Sequence, residues 1–190
     1  MSDLLSDALE EAYASAPIGI DVWETIEIRH SELSIPARFV LDHGEKIGET
    51  APDAHGQTQD IYGRMVKLEA DAPADAGEWV SFLATAFEVQ HPDSAPNRPP
   101  EMALILNNVP GDIMAALGPA AASGEGVDVT YREFLSDDPE TLHFRLTGLT
   151  LKRVGVTALR VEGRIGFGDL FNKVFPASFY NVNDNPSLVA

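Results

Sequence analysis

The chain has 190 residues, of which 30 are acidic and 13 are basic, so its formal net charge is −17. This charge disfavours nucleic-acid binding, which needs clustered lysine and arginine, and no stretch approaches the run of about 20 apolar residues that spans a bilayer. Cysteine is absent, which excludes disulfides, thiolate metal sites and a cysteine nucleophile.

The first segment has the pattern of a short amphipathic helix. Apolar residues from Leu4 to Ala12 recur at three- and four-residue intervals, which places them on one helix face. Ser2 or Ser6 is placed to cap the N-terminus of this helix, and Pro17 ends it. The acidic start lacks the positively charged region of a signal peptide, so we expect none.

Strand patterns follow the helix. After Gly19 the apolar period changes from 3.6 to 2 residues, and residues 22–29 and 36–41 are predicted to pair as antiparallel strands. The long, largely apolar segment 78–89 is predicted to be a central strand covered on both faces. Further strands are predicted at residues 65–70, 103–109, 127–135, 142–151 and 157–164.

Three other segments interrupt the strand pattern. Residues 42–63 are rich in Gly, Asp, Glu and His and poor in aliphatic residues, which predicts a long, mobile loop. The proline-rich segment 91–100 is predicted to be a surface loop. A short helix is predicted to begin at Pro110 and to end at Gly118.

These elements predict the fold class. About eight or nine strands with two or three short flanking helices favour a mainly β architecture, an antiparallel β-sandwich or barrel. We expect one domain over residues 1–190. Its parts are the N-terminal helix, the long loop at 42–63 and an aromatic C-terminal tail at 167–190.

The sequence contains little that indicates catalysis or ligand binding. None of the five histidines has a histidine three or four residues away, so the helix-borne metal-ligand signature is missing. A polar, solvated loop is the favoured interpretation of the one acidic, histidine-containing segment, although a divalent-cation site there is conceivable. The residues concerned are Asp42, His43, Asp53, His55 and Asp60.

Other catalytic signatures are weak or missing. The Gly124–Gly126 motif follows a predicted helix and precedes a strand, the reverse of a phosphate-binding loop. No GxSxG motif occurs, and spacing alone selects no catalytic pair among 30 carboxylates. We therefore expect no enzymatic activity, no catalytic residues, no cofactor and no metal.

The aromatic tail is the predicted contact surface. Phenylalanines recur there every four residues, and Pro176 prevents one helix from carrying them all. In one interpretation Leu170, Phe171 and Val174 close the open end of the sandwich. In the other, a neighbouring subunit contacts Phe175, Pro176, Phe179 and Tyr180.

Five stretches together resemble a family of unknown function that tailed bacteriophages and prophages encode among their tail and baseplate genes. They are SDALEEAYASAP (6–17), ETIEIRH (24–30), LNNV (106–109), VDVTYR (127–132) and LFNKVFP (170–176). The chain departs from the family in its longer, more polar 42–63 segment and in Phe171, where an aliphatic residue is expected.

The resemblance implies a structural virion protein near the distal end of a tail. Tail-tube and distal-tail proteins combine a β-sandwich or barrel with a helix and form rings around a channel through which DNA passes. The resemblance therefore implies a tail location in the virion, synthesis in the host bacterial cytoplasm, and tail-tube and baseplate or hub proteins as partners. It implies no specific DNA binding and no membrane association.

The leading hypothesis is a ring-forming distal tail protein or an adjacent hub component. A hexamer is expected, with a threefold assembly as the alternative, since a head-to-tail contact closes a ring when its rotation fits. One alternative is a carbohydrate- or receptor-binding β-sandwich module of the tail, which would expose clustered tryptophan and tyrosine in loops. Trp23 and Trp79 both fall in predicted strands. A small glycan hydrolase that uses paired carboxylates is the third hypothesis.

Overall fold

Strands dominate the structure, a computed structural model that describes residues 6–15, 19–31, 33–52, 55–90, 101–107, 126–157 and 160–167. Strand residues make up 54% of it, with one helix in the described ranges. The elements are α1 (Asp7–Ser15), β1 (Val22–Arg29), β2 (Ala37–Val40), β3 (Glu45–Glu49), β4 (Asp60–Lys67), β5 (Trp79–Ala84), β6 (Phe87–Gln90), β7 (Glu101–Asn107), β8 (Val127–Leu135), β9 (Phe144–Val156) and β10 (Arg160–Phe167).

All ten strands belong to one curled sheet. Their order is β3-β4-β5-β2-β1-β8-β9-β10-β7-β6, and β2 with β5 is the parallel pair of this otherwise antiparallel sheet. Although β5 and β6 are far apart in this order, only Thr85 and Ala86 separate them along the chain. The Thr85 N–H donates to Val40, and the Ala86 carbonyl accepts from Asn107. The sheet therefore curls strongly, into a half-barrel.

Two apolar clusters lie on opposite faces of the central strands. On β1, Ile26 and Ile28 point into the curl, whereas Trp23 points to the other face, as alternation along a strand requires. The inner cluster draws buried residues from β1, β2, β6, β7, β8, β9 and β10. The outer cluster contains Trp23, Val40, Val66, Leu68, Val80, Phe82 and Phe134.

The N-terminal helix docks on one end of the sheet. Ser6 caps it, because the Leu9 N–H donates to Ser6 Oγ at 3.2 Å. Leu9 and Ala12 are buried and form a small cluster with Leu135 of β8. In addition, Ser6 Oγ lies 2.8 Å from Nδ1 of His143, which fixes the start of the helix. No helix in the described part of the chain is long and apolar enough to cross a membrane.

The structure confirms the predicted mainly β class, in the form of a curled sheet. The predicted N-terminal helix and the strands at 22–29 and 127–135 are present as α1, β1 and β8. The proline-rich segment 91–100 and the helix predicted to begin at Pro110 lie outside the described residues.

Two predictions about individual segments are wrong. Residues 42–63 contain β3 and the first half of β4 instead of a long loop. The sequence pattern does not indicate these strands, because this edge carries exposed salt bridges of Lys46 with Glu49 and Asp60 in place of aliphatic contacts. The segment 78–89 is divided into β5 and β6, and its Trp79 is 46% exposed. Instead, β1 and β8 are covered on both faces.

Candidate functional site

The β4–β5 ribbon, defined as residues 60–84, folds over the outer face of the central strands. One face of the ribbon buries Val66, Val80 and Phe82 in the outer cluster, against Trp23 and Phe134. Burial of this kind contributes roughly 25 cal/mol per Å² of apolar surface removed from water. The ribbon is therefore packed tightly on the body of the sheet.

A buried ionic network holds the turn of the ribbon in place, with Glu27 at its centre. Glu27 is fully buried on β1 and accepts a hydrogen bond from Arg38 Nε at 2.9 Å. Arg38 also donates from Nη2 to Asp75 in the ribbon turn, at 2.6 Å. Arg29 Nε approaches the other Glu27 oxygen at 3.4 Å. One buried carboxylate thus links β1 and β2 to the ribbon turn through Arg38.

A second arm of the network uses Arg132 of β8, which is fully buried. Its Nε lies 3.0 Å from both carboxylate oxygens of Glu69 in the ribbon turn. Arg145 of β9 donates to Glu69 and also binds Asp71 with both Nη atoms at 2.9 Å. This arm therefore joins β8 and β9 to the ribbon turn by charge-assisted hydrogen bonds.

The pKa shifts follow from these contacts. Burial by itself would raise the pKa of Glu69, but the hydrogen bonds from Arg132, its own backbone and Arg145 outweigh it, so the pKa lies below its usual value. The hydrogen bond from Arg145 likewise lowers the pKa of Asp71. Both carboxylates are therefore charged at neutral pH, as the network requires.

Asp75 offers a direct test of how the turn is held. Its φ is +51°, a region that asparagine and aspartate tolerate better than other non-glycine residues. We expect Asp75→Ala to lower the free energy of unfolding by about 2 kcal/mol, because it loses the bond to Arg38 and strains the backbone. Asp75→Gly keeps the backbone conformation, so its loss should be on the order of 1 kcal/mol smaller.

Urea denaturation of the two Asp75 variants measures these losses. Equal losses would show that the backbone conformation contributes nothing to the difference between them.

The other face of the ribbon is exposed and partly apolar. Trp79 lies opposite Lys67 in the register, and Met65 precedes Lys67 by two residues, so the three side chains share one face. Trp79 is 46% exposed and Met65 is 44% exposed. We call Met65, Lys67 and Trp79 the ribbon face.

An open groove of about 780 Å³ lies at the opposite end of the ribbon. Its lining comes from the start of β1, the segment after β2, β4 and the junction of β5 and β6. The residues are Asp21, Val22, Trp23, Leu41, Asp42, His43, Tyr62, Ala84, Thr85 and Ala86. Leu41 and Tyr62 are both more than a third exposed, so the groove offers apolar surface to a ligand or partner.

Arg64 lies next to the groove and contacts two of its lining residues, Trp23 and Asp42. Its guanidinium carbon stacks 4.7 Å from the centre of the Trp23 ring, a cation–π arrangement. Asp42 and Glu45 each hold it at 2.6 Å. Burial would raise the pKa of Asp42, but hydrogen bonds from Arg64 and from backbone N–H groups lower it below its usual value. Asp42 and Arg64 therefore neutralise each other.

Two glycines, Gly44 and Gly63, allow the chain segments beside Arg64 to approach each other closely. A Cβ on Gly63 would collide with the Phe82 carbonyl oxygen and Ile47. Gly44 has a φ of +68°, and a Cβ there would lie 2.6 Å from the Gly63 nitrogen. β4 can thus lie this close to β5 and to the segment before β3 only because neither glycine has a side chain.

The predicted contact residues Phe175, Pro176, Phe179 and Tyr180 lie outside the described residues, so the interface at these positions stays a prediction. The same holds for Leu170, Phe171 and Val174, and for the Gly124–Gly126 motif.

The acidic segment does not bring together the side chains of the conceivable cation site. Asp42 binds Arg64, and Asp60 binds Lys46; Asp53 lies outside the described residues. Across the described ranges, no group of three or more His, Asp or Glu is arranged to hold a metal ion.

One pair of carboxylates does meet. Glu24 and Glu133 lie opposite each other on β1 and β8, and the Tyr131 hydroxyl is 3.0 and 2.7 Å from them. Tyr13 of α1 donates to Glu133 at 3.1 Å. Glu133 is 5% exposed, and neither glutamate lines the groove. The pair therefore anchors the helix to the sheet.

Sequence reasoning missed the ionic network and the ribbon. Glu27, Arg38 and Arg132 occupy alternate positions of strands, where charged side chains normally indicate a solvated face. A usable signal existed in β8, where Arg132 and Thr130 alternate with Val129 and Tyr131, but nothing local shows that residues 60–84 cover that face.

Comparison with known proteins gives one match. The family described as a domain of unknown function, DUF1833, matches residues 8–180. No curated protein and no solved structure matches the chain.

Proposed function

The chain belongs to the DUF1833 family, and from that premise we propose that it is a structural component of a bacteriophage tail tip or baseplate. In this proposal it forms a ring, as a distal tail protein or an adjacent hub component, around the channel through which DNA passes. Its partners are copies of itself, the tail tube and other baseplate proteins, and it is located in the virion tail after synthesis in the host cytoplasm.

The main support for the proposal is that the ribbon is held firmly on the sheet while the ribbon face stays exposed. The outer cluster and the ionic network fix one side of the ribbon to the sheet, while Trp79 and Met65 remain half exposed on the other side. Tryptophan and methionine are enriched at protein–protein interfaces. A stiff ribbon that displays them fits an assembly protein, since little order has to be gained on binding.

Fold and charge provide further support. A curled β-sheet with a docked helix is the architecture expected for tail-tube and distal-tail proteins. A net charge of −17 repels the phosphate backbone, so DNA would move through a channel lined by this chain without adhering to it.

Electron microscopy and light scattering of the purified full chain test the proposal. Closed annular particles of fixed stoichiometry, six copies in the leading hypothesis, are the expected result. A chain that stays monomeric at every concentration up to the solubility limit would contradict it.

Ionic strength should control this assembly. Each copy carries a charge of −17, and the Debye length falls from about 30 Å at 0.01 M salt to about 8 Å at 0.15 M. We expect the concentration of half-assembly to fall roughly tenfold over this range, because repulsion between copies is screened. Sedimentation velocity measures it. Weaker assembly at the higher salt concentration would show instead that attractive charge pairs dominate the contacts.

A carbohydrate- or receptor-binding module of the tail remains the second candidate, and the groove is the observation that favours it. Tyr62 is 49% exposed and lines the groove together with Asp21, and an aromatic ring among polar groups suits a sugar. Glycan-array binding that Tyr62→Ala abolishes would favour this candidate. The third hypothesis, a glycan hydrolase, finds no support in the Glu24–Glu133 pair, because Glu133 is buried and neither glutamate lines the groove.

A further inference from the structure

The ribbon carries two different surfaces at its two ends. The ribbon face is centred on Trp79, whereas the groove lies beside Tyr62 and Ala84. Lys67, which is opposite Trp79, is five residues from Tyr62 along β4, or roughly 17 Å at the usual rise of a strand. Both surfaces thus lie on the same rigid ribbon. The ribbon face has a projecting side chain, Trp79, and the groove is concave.

Resting on the proposed ring assembly, we propose that the groove receives the ribbon face of a second copy of the chain, with the Trp79 indole as its anchor. The lining of the groove includes Leu41, Tyr62 and Ala86, which provide apolar surface for an indole. Trp79 is 46% exposed, so roughly half of the 150–250 Å² that a large aromatic side chain can bury remains available for this contact. Buried aromatic anchors of this kind dominate the affinity of many interfaces.

Charge complementarity favours the ribbon face of a second copy as the occupant of the groove. Asp42 is neutralised by Arg64, so the exposed Asp21 is the main acidic group of the groove rim. The ribbon face brings Lys67 next to Trp79. Its pair with Glu140 is exposed on both sides, at 3.3 Å, and so contributes little in the free subunit. Among copies that each carry a charge of −17, this contact joins a cation to a carboxylate.

The contact is of the head-to-tail type. Each copy uses its ribbon face toward one neighbour and its groove toward the other, so the contact generates a ring when the rotation closes. A symmetric pair would instead bury both surfaces at once and stop at two copies. The stoichiometry of mixed variants separates these two geometries.

The experiment uses two blocked forms of the full chain. Trp79→Ala removes the anchor, and Ala86→Phe fills the groove from an exposed position. Ile35→Ala is the matched control, because Ile35 is 72% exposed and belongs to neither surface. Circular dichroism and thermal melting show whether each variant is folded, and light scattering gives the mass.

We expect each blocked form to be monomeric at concentrations at least about 30-fold above those at which the wild type assembles, and Ile35→Ala to assemble like the wild type. An equimolar mixture of the blocked forms should contain pairs and nothing larger, because only one intact contact exists between them. The emission of Trp79 should also shift to shorter wavelengths when the wild type assembles, and this shift should be absent in Ala86→Phe.

The failures are distinguishable. If the wild type assembles and a folded Trp79→Ala or Ala86→Phe variant assembles at the same concentration, the inference is overturned and the ring proposal stays intact. Mixtures that form no pairs also overturn it. A wild type that never assembles overturns both.

Discussion

Replacing Glu27 with alanine is expected to lower the free energy of unfolding by about 3–5 kcal/mol. The substitution leaves Arg38 and Arg132, which are 8% and 0% exposed, without the carboxylate that faces them both. Arg38 keeps Asp75 and Arg132 keeps Glu69, so the two buried cations are left with less compensating charge, which is among the few single changes with an effect this large. Urea denaturation measures the loss, and the amide protons of the ribbon turn should exchange faster because Arg38 no longer holds Asp75 firmly.

Two controls show whether the effect arises from burial. Glu49→Ala removes an exposed glutamate that also pairs with a cation, Lys46, and should change stability by no more than about 0.5 kcal/mol. The double variant Glu27→Met with Arg38→Met removes both charges and should be more stable than Glu27→Ala. A loss below about 1 kcal/mol for Glu27→Ala would mean that water reaches the network and replaces the carboxylate.

Gly63→Ala is expected to destabilise the protein by about 3 kcal/mol, at the upper end of the range for overpacking. Its Cβ would overlap the backbone carbonyl oxygen of Phe82 on β5, which cannot move aside as a flexible side chain could. Pairing of β3 with β4 should be lost first, since Gly63 is also the register partner of Glu45. Thermal melting and hydrogen exchange of the β3 and β4 amides measure both effects.

Gly48→Ala is the matched control for Gly63→Ala. It lies in β3, and a Cβ there would meet nothing within 4 Å. Its stability should stay within about 0.5 kcal/mol of the wild type. Similar losses for the two variants would contradict the close approach of β4 to β5.

Both effects bear on the proposed assembly. The Glu27 network holds the turn that precedes Trp79, and Gly63 is next in the chain to Tyr62, which lines the groove. Each substitution therefore disturbs one of the two surfaces through its support. Trp79→Ala and Ala86→Phe act on the surfaces themselves, and comparison of the two kinds of variant separates loss of folding from loss of contact.

The sequence by itself determined the helix and the strands whose apolar residues repeat at a regular interval within one short segment. Alternation over residues 22–29 and 127–135 identified β1 and β8, and the helical spacing from Leu4 to Ala12 identified α1. Ser2 and Ser6 were both candidate caps, and the structure places Ser6 in that role. The β-rich class followed from these patterns, because side chains alternate between the two faces of a strand whatever lies beyond them.

Tertiary structure alone decided what covers each face. Glu27 and Arg132 have the sequence pattern of solvated residues, yet they are buried because the ribbon, more than thirty residues from Glu27 along the chain, folds across them. The edge strand β3 is likewise defined by its pairing with β4, which brings Lys46 to Asp60. Pairing partners and buried charges are fixed by contacts between distant segments, and a local pattern carries no information about which segments meet.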